Sequence, residues 1–198
     1  ENLDKIARYR SLLTIRGPED SPLSGQVQFS LLRRAVDGSW AEAVPDATGQ
    51  VSYRVGERLA FRIRNLRADT PVYAYVLDFG LMHKVTSIYP AAGAHERHAF
   101  PNTLDHGVLE DRRITVGRGS SYEPDCALDV ECLKLIATTH PVDFSWLTQT
   151  GVKGLKGMAS PLEELLFRAG VRTRGETTQV PTSEQWTTVV RSFRVRDA

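Results

Sequence analysis

The chain has 198 residues and a mass of 22.1 kDa, with 25 Lys and Arg against 24 Asp and Glu, for a net charge of +1. That length suits one sizeable domain with one core, and 41% hydrophobic with 25% charged residues is ordinary globular usage. The balanced charge argues against the basic footprint of a nucleic-acid binder, and no run reaches the ~20 apolar residues of a membrane-spanning helix.

The chain opens on Glu1 inside a helical pattern, which reads as a piece of something larger. Leu3 to Leu13 forms a short amphipathic helix, with Leu3, Ile6, Ala7 and Leu13 roughly on one face and Arg10 interrupting it. Gly17-Pro18 ends it. A helix this short is marginal alone, so its apolar face needs a partner. Gln26 to Leu32 is a first strand. Ala35 to Gly49, with Asp37-Gly38 and Pro45, reads as turn and loop around Trp40. Val51, Tyr53 and Val55 alternate with polar residues, and Gly56-Glu57 makes a tight turn. Leu59, Phe61 and Ile63 then alternate with Arg58, Arg62 and Arg64, giving one buried face and one wet, cationic face.

Pro71 to Phe79 is different: Val72 to Leu77 is continuously apolar, as expected of a central strand covered on both faces. Lys84 to Tyr89 is the next strand, joined through Gly80 in a hairpin-like connection. Ala91 to Asp105 reads as a His- and Gly-containing loop, Arg112 to Val116 as a strand, and Gly117 to Asp125 as a turn-rich link. Val130 to Thr138 is a strong strand with Leu133, Leu135 and Ala137 on one side. Pro161 to Ala169 is a helix with a Ser160-x-x-Glu163 capping box and Gly170 at its end. Thr187 to Val195 is the last strand. About eight strands and two helices, without alternating helices, predict an antiparallel sandwich.

Four motifs could carry chemistry. His95, His98 and His106, beside Glu96 and Asp105, are weak metal candidates; a solvated polar loop explains them as well, and no cofactor is expected. Cys126 or Cys132 with His83 or His140 could form a nucleophilic dyad. However, Cys132 reads as core, and the carboxylates of Glu123 and Asp125 would raise the Cys126 thiol pKa. Two free thiols in a reducing cytosol are expected rather than a disulfide. Gly117-Arg118-Gly119 lacks the third glycine and the following helix of a dinucleotide fingerprint. Glu131 and Lys134, in an otherwise apolar strand, suggest a cross-strand salt bridge. The Arg-bearing stretches 8–16, 58–67 and 191–196 read as solvated faces.

The block Val55-Gly56-Glu57-Arg58-Leu59-Ala60-Phe61-Arg62-Ile63, the strand Val72 to Asp78 and the strand Val85 to Pro90 resemble the DUF4384 domain. There a Gly-Glu turn introduces a strand, an aromatic-rich strand follows, and a third ends in Tyr/Phe-Pro. Leu133 to Phe144 is similar to that family's closing strand and exit. The chain as a whole is similar to the region that follows the peptidase domain in bacterial caspase-like (C14-type) proteins. The opening residues Glu1 to Arg10 would be the connector helix; Ser160 to Leu166 and Trp186 to Val189 also fit.

The resemblance implies a mainly β, antiparallel, immunoglobulin-like β-sandwich with an N-terminal connector helix over residues 1–17. Residues 18–198 would form one accessory domain with a short C-terminal helix. It implies a non-catalytic, cytoplasmic binding or regulatory module, docking a protein partner, a substrate or the peptidase domain itself in cis or in trans. No catalytic residue carries over, because the His/Cys dyad of such peptidases has no counterpart in this chain. Tyr73, Tyr75, Asp78 and Tyr89 are the expected binding surface. A stand-alone sandwich for peptide or carbohydrate, stacking on Tyr73, Tyr75, Tyr89, Trp40 or Trp146, is the alternative.

Overall fold

The computed structural model describes residues 2–67, 69–80, 83, 85–90, 103–106, 114–115, 130–142, 162 and 185–196. A helix, α1 (Asn2–Thr14), leads into strands β1 (Val27–Arg34), β2 (Trp40–Glu42), β3 (Val51–Arg54), β4 (Arg58–Asn65), β5 (Tyr73–Phe79) and β6 (Val85–Tyr89). Strands β7 (Thr103–His106), β8 (Ile114–Thr115), β9 (Val130–Thr138) and β10 (Trp186–Arg196) follow. The protein is mainly β and its strands form two sheets. In sheet 1 the order is β2-β1-β4-β7, with β8 also pairing β4; in sheet 2 it is β3-β10-β9-β5-β6.

Strand periodicity decides which side chains meet. On β1 and β4, Val27, Phe29, Leu31, Leu59, Phe61 and Ile63 turn to one side, while Gln28, Arg34, Arg58 and Arg64 are exposed on the other. The inward set joins Tyr53, Ala74, Val76, Leu133, Leu135, Ala137, Phe193 and Val195 of sheet 2 in one buried cluster. Phe29 and Phe61 meet edge-to-face at 5.5 Å, as do Tyr53 and Phe193 at 5.4 Å, the arrangement that ring quadrupoles favour.

Three ties join the sheets along one side. The Arg191 Nε donates to the Phe29 carbonyl at 2.8 Å, the Tyr53 hydroxyl to the Leu32 carbonyl at 3.2 Å, and the Arg33 guanidinium to the Ser52 carbonyl. Arg33 also lies 4.9 Å from the Tyr53 ring centroid, a cation–π contact. Arg191 and Arg33 thus serve as carbonyl donors, and Arg191, Arg194 and Arg196 are exposed, as expected of a solvated face.

Several expectations are corrected. The sheets are not wholly antiparallel: β3 runs parallel to β10, with Val51 opposite Phe193 and Tyr53 opposite Val195. The stretch Ala35 to Gly49 contains β2, paired to β1 beyond the Ala35–Gly38 turn. Within the predicted 91–105 loop, Thr103 to Asp105 are strand residues, because β7 takes up the hydrogen-bonding edge of β4 from Phe61 to Arg64. The Gly56 turn is present, with φ +88°, a conformation glycine adopts without a Cβ clash. The predicted helix at 161–169 lies outside the described residues except Leu162, which is helical and buried.

Candidate functional site

The outer face of sheet 2 is covered. β5 turns Ala74 and Val76 to the inter-sheet core and Tyr75, Leu77 and Phe79 the other way. On that side they join Leu12 of α1, Ile136, Val142, Leu162 and Trp186 in a second buried cluster, with Tyr9, Leu13, Ile15, Tyr73 and Cys132 packed against it. This explains the continuous apolar run of β5: both of its faces are buried. The chain leaving α1 presses close on β10, so that a Cβ on Gly17 would stand 2.7 Å from the Thr187 Cα.

Lys134 stands in the middle of this joint. Alternation along β9 sends Leu133, Leu135 and Ala137 to the inter-sheet core and Lys134 to the helix side, where it has 0% exposure. Its Nζ donates to the carbonyls of Leu12 at 2.6 Å, Leu13 at 3.3 Å and Ile15 at 2.6 Å. The last carbonyls of a helix have no partner within it, and they carry the negative end of its dipole. Lys134 supplies both the donors and the positive charge. Arg16 adds a bond to the Leu13 carbonyl at 3.0 Å, and Ser11 is satisfied by the Ile15 amide and the Thr14 hydroxyl. Burial, and next the charge of Arg16, pull the Lys134 pKa down to about 7. No salt bridge from Lys134 is formed to the residues described; the expected cross-strand pair is replaced by this helix cap.

Beside the joint, at the Phe79 end of β5, lies a group of titratable side chains. The Tyr9 hydroxyl donates to the Phe79 carbonyl at 3.3 Å, and its ring meets Phe79 and His83 edge-on at 5.3 and 5.0 Å. Burial, then the proximity of Cys132, Asp78 and Glu131, pushes the Tyr9 pKa up to about 12. Burial and the Asp78 carboxylate push Glu131 up to about 7. The Cys132 thiol is raised by burial, then by Asp78 and Glu131. A nucleophilic cysteine needs the opposite setting, one that favours thiolate. The protein therefore holds Cys132 as a half-buried thiol, less buried than the core position expected for it.

The four residues expected to form one binding surface are separated. Tyr75 is 4% exposed and its hydroxyl accepts the Val142 amide at 2.7 Å, pinning the segment after β9. Tyr73 packs beside it on the α1 side. Tyr89 packs against the inter-sheet core, edge-on to Phe61 at 6.5 Å. Asp78 follows Ala74 and Val76 in the alternation of β5, away from the two tyrosines. Trp40 is half-buried at a third place, on β2 of sheet 1. Of the metal candidates, His106 is paired through its backbone to Phe61 in β7, while His95 and His98 lie outside the described residues; so do Cys126 and Trp146. Among the described residues no three His, Cys, Asp or Glu side chains gather as a metal site, and no helix is long and apolar enough to cross a membrane.

No family model matches the chain, no curated protein matches it, and no solved structure matches it.

Proposed function

We propose that this chain is a non-catalytic binding and regulatory module with an immunoglobulin-like β-sandwich, working beside a caspase-like cysteine peptidase domain. The observation that carries the reading is the seating of α1. The helix lies on sheet 2 through Leu12, Tyr9, Leu13 and Ile15, and Lys134 holds its C-terminal carbonyls. A helix held at both its apolar face and its end is a stiff joint, suited to fixing the orientation of whatever it connects. The packing of inward residues from both sheets into one cluster supports the sandwich. The raised Cys132 pKa supports a role without a cysteine nucleophile.

The test uses the longer protein that this reading implies. Peptidase activity and intramolecular cross-links between the peptidase domain and this module are measured with the module present, deleted, or carrying Lys134→Met. The reading expects cross-links, and an activity that changes both on deletion and on loosening the α1 joint. Absence of cross-links together with unchanged activity would sink it.

A further inference from the structure

Lys134 owes its cover to one stretch of chain. On β9 it stands opposite Leu77 of β5 and Val190 of β10, neither of which has a polar side-chain atom. Each hydrogen bond of its Nζ goes to the end of α1, at the carbonyls of Leu12, Leu13 and Ile15. That end is lightly held. Among the described side chains of α1 only Leu12 is buried, and Arg10 and Thr14 are exposed. Its one other described hydrogen bond to the sheet runs from the Tyr9 hydroxyl to the Phe79 carbonyl. Further on, Leu23 is fully buried in the inter-sheet core and anchors the chain there whatever α1 does. Few buried apolar contacts mark the segments of a fold that open at low cost. Lifting α1 leaves both sheets paired. It also returns Nζ to water and removes all three of its acceptors together.

The charge state of Lys134 is therefore tied to the seating of α1. The titratable and charged groups on its side of the joint are Tyr9 on α1, Arg16 just after it, Cys132 on β9 and Tyr75 on β5; β10 brings none. Burial raises the Tyr9 phenol and the Cys132 thiol, so neither is an anion near neutrality. Asp78 and Glu131 face the other side of their strands. No described carboxylate thus faces the ammonium, and Arg16 repels it. Attraction to the helix end offsets only part of the cost of taking an ion out of water. The bonds themselves agree. The Leu12 and Ile15 carbonyls stand at 2.6 Å, whereas the Leu13 carbonyl, at 3.3 Å, also receives the Arg16 guanidinium at 3.0 Å. A neutral amine has two N–H protons for the two short bonds, and Arg16 serves the third carbonyl. The seated helix is complete without the extra proton.

We propose that α1 is a proton-governed latch, seated on sheet 2 while the Lys134 side chain is a neutral amine and loosened as that amine takes up a proton. The proposal rests on the reading of α1 as the joint of this module and names how the joint is regulated.

With α1 lifted, Lys134 titrates at its ordinary 10.5; with α1 seated, burial and Arg16 bring it down to about 7. Between these values the lifted form holds more protons. Seating therefore tightens as pH rises, by up to about tenfold per unit, and loosens as pH falls towards 7. Hydrogen exchange of the whole chain at pH 7, 8 and 9, with each amide's rate divided by its intrinsic rate, tests this. At pH 7 the α1 amides should be at least about tenfold less protected than those of β1 and β4, because α1 opens on its own. Their protection should rise about tenfold from pH 8 to pH 9, and Lys134→Met should abolish the rise. If Lys134→Met does not fold, carbon NMR of isotope-labelled lysines in the unaltered chain replaces it, and one Cε signal should titrate near neutrality. Equal protection of α1 and the strands, an α1 profile flat with pH, a rise that survives Lys134→Met, or lysine signals that all titrate at the ordinary value overturns the proposal. The peptidase experiment fails separately. A titrating latch with no cross-links and unmoved peptidase activity sinks that reading alone, and a flat α1 profile beside a responsive peptidase sinks only the latch.

Discussion

The two outer faces of the sheets handle cations in opposite ways. On sheet 2 a single lysine, Lys134, has no exposure and spends its Nζ on three carbonyls of α1. On sheet 1, Arg34, Arg58 and Arg64 stand in solvent and make no ion pair with the residues described. The strand pattern alone places both sets outward from the inter-sheet core. What separates them is the cover over each residue: α1 removes water from Lys134 and makes its cation structural, whereas Arg34, Arg58 and Arg64 reach solvent around a face whose middle, Leu32 and Ala60, is buried. The contrast teaches that charge on a strand has meaning only once the layer above it is known.

The sharpest way to test the contrast is a pair of tryptophans. Trp186, 1% exposed, belongs to the covered cluster, whereas Trp40 is half-buried on edge strand β2 of sheet 1. Trp186→Ala should cost about 3–5 kcal/mol in urea denaturation. Trp40→Ala should stay within about 0.5 kcal/mol. Equal losses at the two positions would mean that the edge of sheet 1 at Trp40 is packed as tightly as its middle at Leu32 and Ala60. Next in size is Gly17→Ala. The added methyl meets the backbone of Thr187 at 2.7 Å, and backbone yields less easily than the end of a side chain. A loss of about 1–3 kcal/mol is expected, with the amides of α1 exchanging hydrogen faster than those of β1 and β4.

Lys134→Met comes third. The substitution removes a buried charge, which on its own favours the fold, and strands the Leu12, Leu13 and Ile15 carbonyls, which does not. The unsatisfied carbonyls should dominate, at about 1–3 kcal/mol. Arg34→Met, at an exposed position of sheet 1, should change stability within about 0.5 kcal/mol. If hydrogen exchange of α1 is unaltered in Lys134→Met, the lysine is not what holds the helix.

How far these features could be read from the sequence depends on their range. The alternation of Leu59, Phe61 and Ile63, the two-faced burial of β5 and the limits of β9 were legible, because each is a local pattern with one physical cause. The α1 helix was legible too, along with its need for a partner. Its cap was not: the carbonyl partners of Lys134 lie 119 to 122 residues away, so the residue looked like half of a salt bridge. The available signal was its parity with Cys132 and Ile136 on a face that had to be apolar. The parallel β3–β10 pair was equally hidden, since pairing direction depends on how distant segments return. The aromatics were misjudged as a surface for a simpler reason. Tyr73 and Tyr75 share one parity on β5, but Tyr89 belongs to another strand, and its face depends on the irregular register between Val76 and Leu77.

The remaining prediction is the dependence of stability on pH, which sets two titrations of opposite sense on the two faces of β9. Glu131 is raised from 4.5 to about 7 in the folded protein by burial and by Asp78. Between those values the native state holds more protons than the unfolded chain, so stability present below about pH 4.5 is lost as pH rises towards 7. Lys134 is lowered from 10.5 to about 7 by burial and by Arg16. Between 7 and 10.5 it is the unfolded chain that holds more protons, so stability rises with pH across that window and is lost again as pH falls to 7. The two contributions meet in a minimum near neutrality. Urea denaturation at pH 5, 7 and 9 should find the protein least stable at pH 7. Glu131→Gln should flatten the acid limb alone, and Lys134→Met the alkaline limb alone. Arg58→Gln, at an exposed position of sheet 1, should leave both limbs in place. A minimum that survives both Glu131→Gln and Lys134→Met would locate the titrating groups elsewhere and remove the link between burial under α1 and the charge of Lys134.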